Sequence, residues 1–215
     1  MNITIIVGSQ RTVSNSAKVG RIVEQILNQK YSAQESLNSV LNIKTIDLGS
    51  NPLPLWNQKV WEQDKTWTDT LTPYREILDK SDALVIVTPE YNGMASPALK
   101  NFFLFWNGEI LAHKPALLIS VTQTEHNGAY PIAELRASSY KNTRLVYIPD
   151  HVIVRDCESF GPKLEDIQKN TKDEAQLRTL SRLEYGLYTL VNYSKAMSEL
   201  RKNTDFNYKD FGNGI

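Results

Sequence analysis

The segment ITIIVGSQRTVSNS, residues 3–16, is the most informative part of the chain about its fold. Ile3 to Val7 is a continuous run rich in β-branched residues, which is typical of a strand buried on both faces of a parallel sheet. Gly8 permits a tight exit from that strand, and a polar loop follows. Apolar residues between Val19 and Leu27 then recur at helical spacing. A buried strand, a polar loop and an amphipathic helix predict the first unit of an α/β fold.

Short apolar runs alternate with helical patterns through the next hundred or so residues. Further strands are predicted at residues 43–48, 83–88, 116–121 and 144–148. Between the third and fourth strands, Ser96-Pro97 predicts a helix start, with serine as the N-cap and proline in the first turn. The alternation favours a doubly wound, three-layer α/β fold with a five-stranded parallel sheet in the flavodoxin-like order 2-1-3-4-5.

Residues 49–72 are less regular than the chain around them. They hold Trp56, Trp61 and Trp67 together with two prolines. We expect an excursion with a short helix here, packed either at the mouth of a site or at a subunit interface.

A long helix is predicted towards the carboxyl end. Thr171 and Glu174 form a T-x-x-E capping box, and leucines between Leu177 and Leu200 then recur roughly every 3.5 residues. This stripe fits a helix packed on the sheet, with self-association as the alternative. We predict a single domain over residues 1–200 and a polar tail over residues 201–215.

The chain carries no dominant charge. Lys plus Arg equals Asp plus Glu, 24 against 24, so no global field favours nucleic acid or an anionic membrane. The strong single-sign charge that steers a protein-to-protein electron shuttle is missing too.

The lone Cys157 excludes an intramolecular disulfide and fits a reducing compartment. With no basic leader and no apolar stretch near the roughly 18 residues of a membrane span, we expect a cytoplasmic protein without nucleic-acid or membrane partners.

Two loops are the candidate ligand site. In open α/β sheets, ligands bind beyond the carboxyl ends of the strands, where the strand order reverses. In the predicted order these are the loops after Val7 and Thr88. The first loop contains no G-x-G-x-x-G and no G-x-x-x-x-G-K-[ST], which argues against a Rossmann dinucleotide site and against nucleoside triphosphate chemistry.

The first loop has the donors that a phosphate needs. Serine hydroxyls, a guanidinium and the unpaired N–H groups of a helix start can all donate to phosphate oxygens. The candidate residues are Ser9, Arg11, Ser14, Asn15 and Ser16. The alternative is a polar connection whose serines only cap the helix.

The second loop suits a planar ring. Pro89 and Gly93 predict an irregular turn, and Tyr91 offers an aromatic face. The backbone N–H groups of residues 91–93 can face the polar edge of a ring. The candidates are Pro89, Glu90, Tyr91, Asn92 and Gly93. The alternatives are a partly buried aromatic residue and a simple Asn-Gly turn.

Three motifs together resemble the NADPH-dependent FMN reductase family, which includes quinone, chromate and azo-dye reductases. They are Gly8-Ser-x-Arg-x-x-Ser-x-Ser16, Pro89-Glu-Tyr-Asn-Gly93 and Pro97-Ala-Leu-Lys-Asn101. The resemblance covers roughly the first 150 residues. It implies non-covalent FMN, with the phosphate at the first loop and the isoalloxazine against the second. It also implies a third loop beside the flavin, residues 122–130, for which Thr122 and Gly128 are the candidate contacts.

Some positions depart from the family pattern. Ser16 stands where the family often has asparagine, although a serine can still donate to phosphate. Phe102, Leu104 and Phe105 replace an alanine, an aspartate and a tryptophan, which makes that helix more apolar.

The resemblance implies an NAD(P)H-dependent oxidoreductase that works by ping-pong hydride transfer through FMN. The small acceptor would be a quinone, a free flavin, an azo compound or a metal ion, and the family generally forms dimers or tetramers. The flavin itself accepts hydride, so no catalytic side chain is predicted. The three histidines are scattered, so no metal site is predicted. The alternatives are an FMN-binding electron carrier and a non-redox scaffold that binds another phosphate ligand.

Overall fold

A central parallel sheet organises the chain, which is described by a computed structural model over residues 1–31, 40–62, 64–170 and 172–211. The strands are β1 Asn2–Val7, β2 Asn42–Asp47, β3 Ala83–Tyr91, β4 Met94–Ala95, β5 Pro115–Val121 and β6 Val146–Val154. Five of them pair in parallel in the order β2-β1-β3-β5-β6. The flavodoxin-like architecture predicted from the sequence is confirmed.

The strand order differs from the predicted 2-1-3-4-5 by one short element. The two-residue β4 pairs antiparallel with the end of β3, through Glu90 with Ala95 and Tyr91 with Met94. The sequence predicted an irregular turn there, from Pro89 and Gly93. Asn92 and Gly93 instead form the turn of a small hairpin, in which β4 pairs with the end of β3.

Helices cover both faces of the sheet. They are α1 Asn15–Tyr31, α2 Lys65–Lys80, α3 Pro97–Phe103, α4 Gly108–Leu111, α5 Ala129–Ser138, α6 Leu164–Lys169 and α7 Glu174–Asn203, with a short 3-10 helix at Gln58–Val60. One core lies between the sheet and α1, α6 and α7, and the other lies between the sheet and α2 to α5. Residues that alternate along each strand enter opposite cores, as the pleat requires.

Several element boundaries differ from the sequence prediction. The last strand runs to Val154 rather than ending at residue 148, since a register shift opposite Ala116–Leu118 accommodates Pro149 and Asp150 within the strand. The helix that Ser96 caps is short and ends at Phe103. The irregular region contains the 3-10 helix and the first half of α2.

The long carboxyl-terminal helix is present, with a different start. Asp173 is its N-cap and accepts a bond from the Gln176 N–H at 3.0 Å. Thr171, the predicted capping residue, lies outside the described residues.

Residues beyond α7 pack against the end of the sheet at which the parallel strands begin. The Phe206 ring stacks on His113 with centroids 4.0 Å apart, and the Arg144 guanidinium lies 4.8 Å from the centre of the Tyr208 ring. Within the described ranges, no helix is long and apolar enough to cross a membrane.

Candidate functional site

The first two loops leave the sheet side by side. β1 and β3 are parallel neighbours, with Val7 opposite Val87, and the Gly8 N–H donates to the Val87 carbonyl at 2.8 Å. From β1 the chain crosses to β2 on one side, and from β3 it crosses to β5 on the other. This reversal opens the crevice in which such sheets bind ligands.

Two serine side chains join these loops. The Ser9 Oγ lies 2.9 Å from the Tyr91 hydroxyl and accepts the Arg11 N–H at 3.2 Å. The Ser96 hydroxyl donates to the Gly8 carbonyl and also accepts the Leu99 N–H as the cap of α3. Both serines are fully buried, so they hold the loops in a fixed relation.

The start of α1 holds two serines in different roles. The Ser14 Oγ accepts the Ala17 N–H at 3.0 Å and therefore caps the helix. The Ser16 Oγ is buried and has no hydrogen-bond partner among the residues that the structure describes. A buried hydroxyl without a partner costs about 1–3 kcal/mol, and such a group calls for an explanation. A bound anion at this helix N-terminus supplies one, since the helix dipole and the free N–H groups favour negative charge.

The remaining candidates of the first loop lie on either side of this helix start. Arg11 is exposed at the loop tip. The Asn15 side chain hydrogen-bonds the Cys157 thiol, whose pKa is raised by burial. Lys18 donates to the Cys157 and Phe160 carbonyls at 2.7 Å each, and burial lowers its pKa. Asn15 and Lys18 therefore fasten the loop that follows β6, residues 155–163 (the β6 loop), to α1.

The second loop is a tight hairpin turn. Asn92 and Gly93 both have positive φ, 55° and 77°, as the two-residue turns that fit the twist of a hairpin require. Pro89 is buried before the turn, and Tyr91 is half-buried. The Glu90 Oε2 atom is buried without a hydrogen-bond partner in the described part of the chain. The loop thus offers an aromatic ring and an unused carboxylate oxygen.

Glu134 anchors the far side of the hairpin from α5. It accepts the Ala95 N–H at 2.7 Å and pairs with Lys100 at 2.6 Å. Desolvation raises the pKa of this carboxyl, but the bonds from Lys100 and Ala95 outweigh it and leave the pKa lowered. None of the sequence motifs includes Glu134.

The third loop follows β5 and is bonded to the β6 loop. The Thr122 carbonyl accepts the Cys157 N–H at 3.1 Å, and Arg155 Nε donates to the Asn127 carbonyl at 3.0 Å. Gly128 caps α5 with φ 107°, and a Cβ there would lie 2.2 Å from an Ile153 methyl group. This position therefore requires glycine. Thr122 and Gly128 lie one strand further along the sheet than the first two loops.

A groove of about 1700 Å³ continues from the second loop over α3. Its walls include Trp56, which stacks edge-on against Trp61 with centroids 4.7 Å apart. The Asn101 side chain holds this segment on α3, since it accepts the Trp56 N–H at 2.8 Å and donates to the Pro54 carbonyl at 2.9 Å. The sequence signal for this role is the polar Asn101 at a helical position that is buried.

Comparisons with known proteins fit this architecture. The NADPH-dependent FMN reductase family matches residues 1–158. A quinone reductase of Pseudomonas putida (strain KT2440) is 30% identical over 100 residues, which are 46% of each chain, so the chain spans about half the length of that relative. An NADPH azoreductase of Bacillus sp. (strain OY1-2) is 28% identical over 137 residues, 59% of this chain and 73% of that one.

A solved structure shows the same fold. The flavoenzyme NAD(P)H:(acceptor) oxidoreductase FerB of Paracoccus denitrificans superposes with a TM-score of 0.67 over 91% of this chain and 98% of that one, at 19% identity. At that identity the likeness is evidence for the fold alone. The family match runs from the first strand past the end of the last, and the chain therefore belongs to the NADPH-dependent FMN reductase family.

Proposed function

We propose that the chain is an NAD(P)H-dependent oxidoreductase that holds FMN non-covalently in the crevice between the first two loops. The observation that carries the proposal is the buried Ser16 hydroxyl, which has no partner among the described residues and sits in the first turn of α1. A phosphate presents acceptor oxygens only, and this helix start presents donors.

In this proposal the first loop holds the phosphate. Ser14 and Ser16 donate hydroxyl bonds, and Arg11 adds a charged donor from the loop tip. Ser9 and Asn15 keep the loop in shape through their bonds to Tyr91 and Cys157.

The second and third loops then border the flavin ring. The N–H groups of the Tyr91-Asn92-Gly93 turn stabilise negative charge at the polar edge of the ring. Pro89 and Glu90 precede that turn, and Thr122 and Gly128 border the ring from the third loop. FMN, when bound, supplies the hydride-transfer chemistry, so we assign no catalytic acid or base to the protein.

The reaction we propose is two-electron reduction of a small acceptor. The relatives named quinone reductase and NADPH azoreductase support a quinone or an azo compound. For a quinone, one NAD(P)H and one proton give a hydroquinone and NAD(P)⁺. We propose that donor and acceptor occupy the crevice in turn, which predicts ping-pong kinetics.

We also propose that two copies of the chain associate. Large aromatic side chains are exposed side by side on α7, where Tyr185 and Tyr188 are 58% and 57% exposed and their rings lie 6.5 Å apart. Contiguous apolar surface of this kind marks an interface on an otherwise polar protein. Light scattering should give at least twice the chain mass of 24.5 kDa, and a monomer at micromolar concentration contradicts the proposal.

Spectroscopy of the purified protein tests the proposed function. The protein should retain or take up FMN, and anaerobic NADPH should bleach the flavin band. A protein that binds FMN but is not reduced by either nicotinamide is a carrier rather than a reductase. A protein that does not bind FMN at all contradicts the proposal.

A further inference from the structure

The charges that line the groove over α3 all have one sign. Its described lining contains three basic residues, Arg75, Lys100 and Lys141, and no aspartate or glutamate. The chain as a whole has equal numbers of acidic and basic residues. The groove is therefore positive in a protein that has no net charge to explain it.

Two of these three charges are uncompensated. Lys100 pairs with Glu134 at 2.6 Å. Arg75, on α2, and Lys141, just after α5, are exposed and form no ion pair within the described residues. Both can therefore reorient towards a ligand without breaking an existing contact.

The walls between these charges are aromatic. All four tryptophans of the chain line the groove, together with Phe103 and Phe105. The Trp67 and Phe105 rings lie 5.3 Å apart, and the Phe102 and Trp106 rings lie 5.6 Å apart. Aromatic walls favour a flat aromatic ligand through stacked and edge contacts. The groove also reaches Gln10, Tyr91 and Asn92, so one end of it lies beside the two loops of the predicted flavin crevice.

We propose that this groove selects planar aromatic acceptors that carry an anionic substituent, such as a sulfonate or a carboxylate. Arg75 and Lys141 are the specificity-determining residues, and the tryptophans hold the ring. The role of the groove as an acceptor site rests on the proposed function, whereas its preference for anionic aromatic ligands can be measured without any flavin.

Tryptophan fluorescence provides that measurement, because every tryptophan of the chain lies on the groove. The probes are three naphthoquinones of identical ring, joined through the same spacer to a sulfonate, a neutral sulfonamide or a trimethylammonium group. One charge pair in water at 4 Å is worth about 1 kcal/mol, or about fivefold in affinity. We expect the sulfonate to bind at least about fivefold more tightly than the ammonium probe at low ionic strength, with the neutral probe between them.

Charge variants locate the selectivity. Replacing both residues, Arg75→Gln with Lys141→Gln, should remove the preference for the sulfonate while leaving the affinity for the neutral probe unchanged. Lys80→Gln is the matched control, since Lys80 is an exposed cation on the same helix as Arg75 but outside the groove. This control should keep the wild-type order of the three probes.

Turnover of the FMN-loaded protein completes the test. The ratio of kcat/KM for sulfonate over ammonium quinone should fall in the double variant, and the NADPH to NADH ratio should not change. Equal binding of the three probes overturns the proposal, as does a sulfonate preference that survives the double variant. A change confined to the NADPH to NADH ratio overturns it too, because the charges then serve the donor. If the sulfonate preference is found but no FMN binds, the proposed function fails while the ligand preference of the groove stands.

Discussion

The Ser9 hydroxyl lies 2.9 Å from the Tyr91 hydroxyl, and this contact joins the two loops of the crevice across 82 positions of the sequence. Ser9 is fully buried, so water cannot easily take the place of Tyr91 as its hydrogen-bond partner. The bond therefore couples the loop proposed to hold phosphate to the loop proposed to hold the flavin ring.

Tyr91→Phe should lower the free energy of unfolding by about 0.5–1.5 kcal/mol, because it removes one hydrogen bond. Ser9→Ala should lower it further, because it also removes the acceptor of the Arg11 N–H. In a double-mutant cycle measured by denaturant unfolding, the two losses should not add, since the second change finds the bond already broken. Additive losses would mean that the contact does not stabilise the protein.

Tyr91→Ala, which also removes the ring, should weaken FMN binding by about 1–2 kcal/mol, while Tyr91→Phe should keep most of the affinity.

Gly93→Val should disturb the hairpin turn through its backbone alone. Gly93 has φ 77°, and no described atom lies within 4 Å of the place a Cβ would take. The left-handed conformation costs an L-residue about 1–2 kcal/mol, and more strain is expected for a β-branched one.

FMN occupancy and turnover should therefore fall together in Gly93→Val, further than in Tyr91→Ala. Gly93→Asn is the matched control, because asparagine tolerates this conformation. Circular dichroism should show all three proteins folded. Full occupancy and turnover in Gly93→Val would place this turn away from the flavin.

Ser16→Ala should have opposite effects on the flavin-free and the flavin-bound protein. Without FMN, the variant loses a buried hydroxyl that has no described partner, and its free energy of unfolding should rise by about 1 kcal/mol. With FMN, it loses a donor to a charged group, and affinity should fall by about 1.5–3 kcal/mol. Thermal unfolding with and without FMN measures both effects. A variant destabilised without FMN would show that Ser16 has a structural partner within the protein.

Lys114 makes stability depend on alkaline pH. Its ammonium is buried and donates to the Leu78 and Asp79 carbonyls at the end of α2, at 2.6 and 2.9 Å. Burial, assisted by the nearby Arg201, lowers the pKa of Lys114 from 10.5 to about 8. Between those two pH values the unfolded chain binds more protons than the folded one, so the contribution of Lys114 to stability rises with pH and is lost as pH falls through 8.

The comparison variant for this prediction is Lys114→Met. Between pH 8 and 10.5 the free energy of unfolding of the wild type should rise relative to the variant by up to about 3 kcal/mol. Taking the difference between the two proteins cancels the titration of the other groups, including Tyr147, whose pKa is raised by burial to about 12. A difference that stays constant over this range would mean that Lys114 titrates as it does in water.

The fold could be predicted from the sequence because its strongest signals are local. Buried strands appear as apolar runs, and Ser96-Pro97 marks a helix start that the structure confirms. The end of β6 could not be predicted, because Pro149 and Asp150 break its pattern and a register shift accommodates them.

The site could be predicted only in part, since it depends on contacts between residues that are distant in the sequence. The motifs indicated which loops to examine, and the two loops do meet. They gave no reason to distinguish Ser14, which caps α1, from Ser16, which is buried and unpartnered among the described residues. The positive groove was missed because its charges come from α2 and from the turn after α5, which approach each other only in the folded chain.

Calorimetric titration of FMN and riboflavin into the wild type and Arg11→Ala tests the central claim most directly, because the two ligands differ only in the phosphate. FMN should bind the wild type much more tightly than riboflavin does. Arg11→Ala should weaken FMN binding by about 1.5–3 kcal/mol, the scale of a hydrogen bond to a charged group, and should leave riboflavin binding nearly unchanged. Equal affinity for the two ligands in the wild type, or equal losses for both in the variant, would contradict a phosphate site at the start of α1.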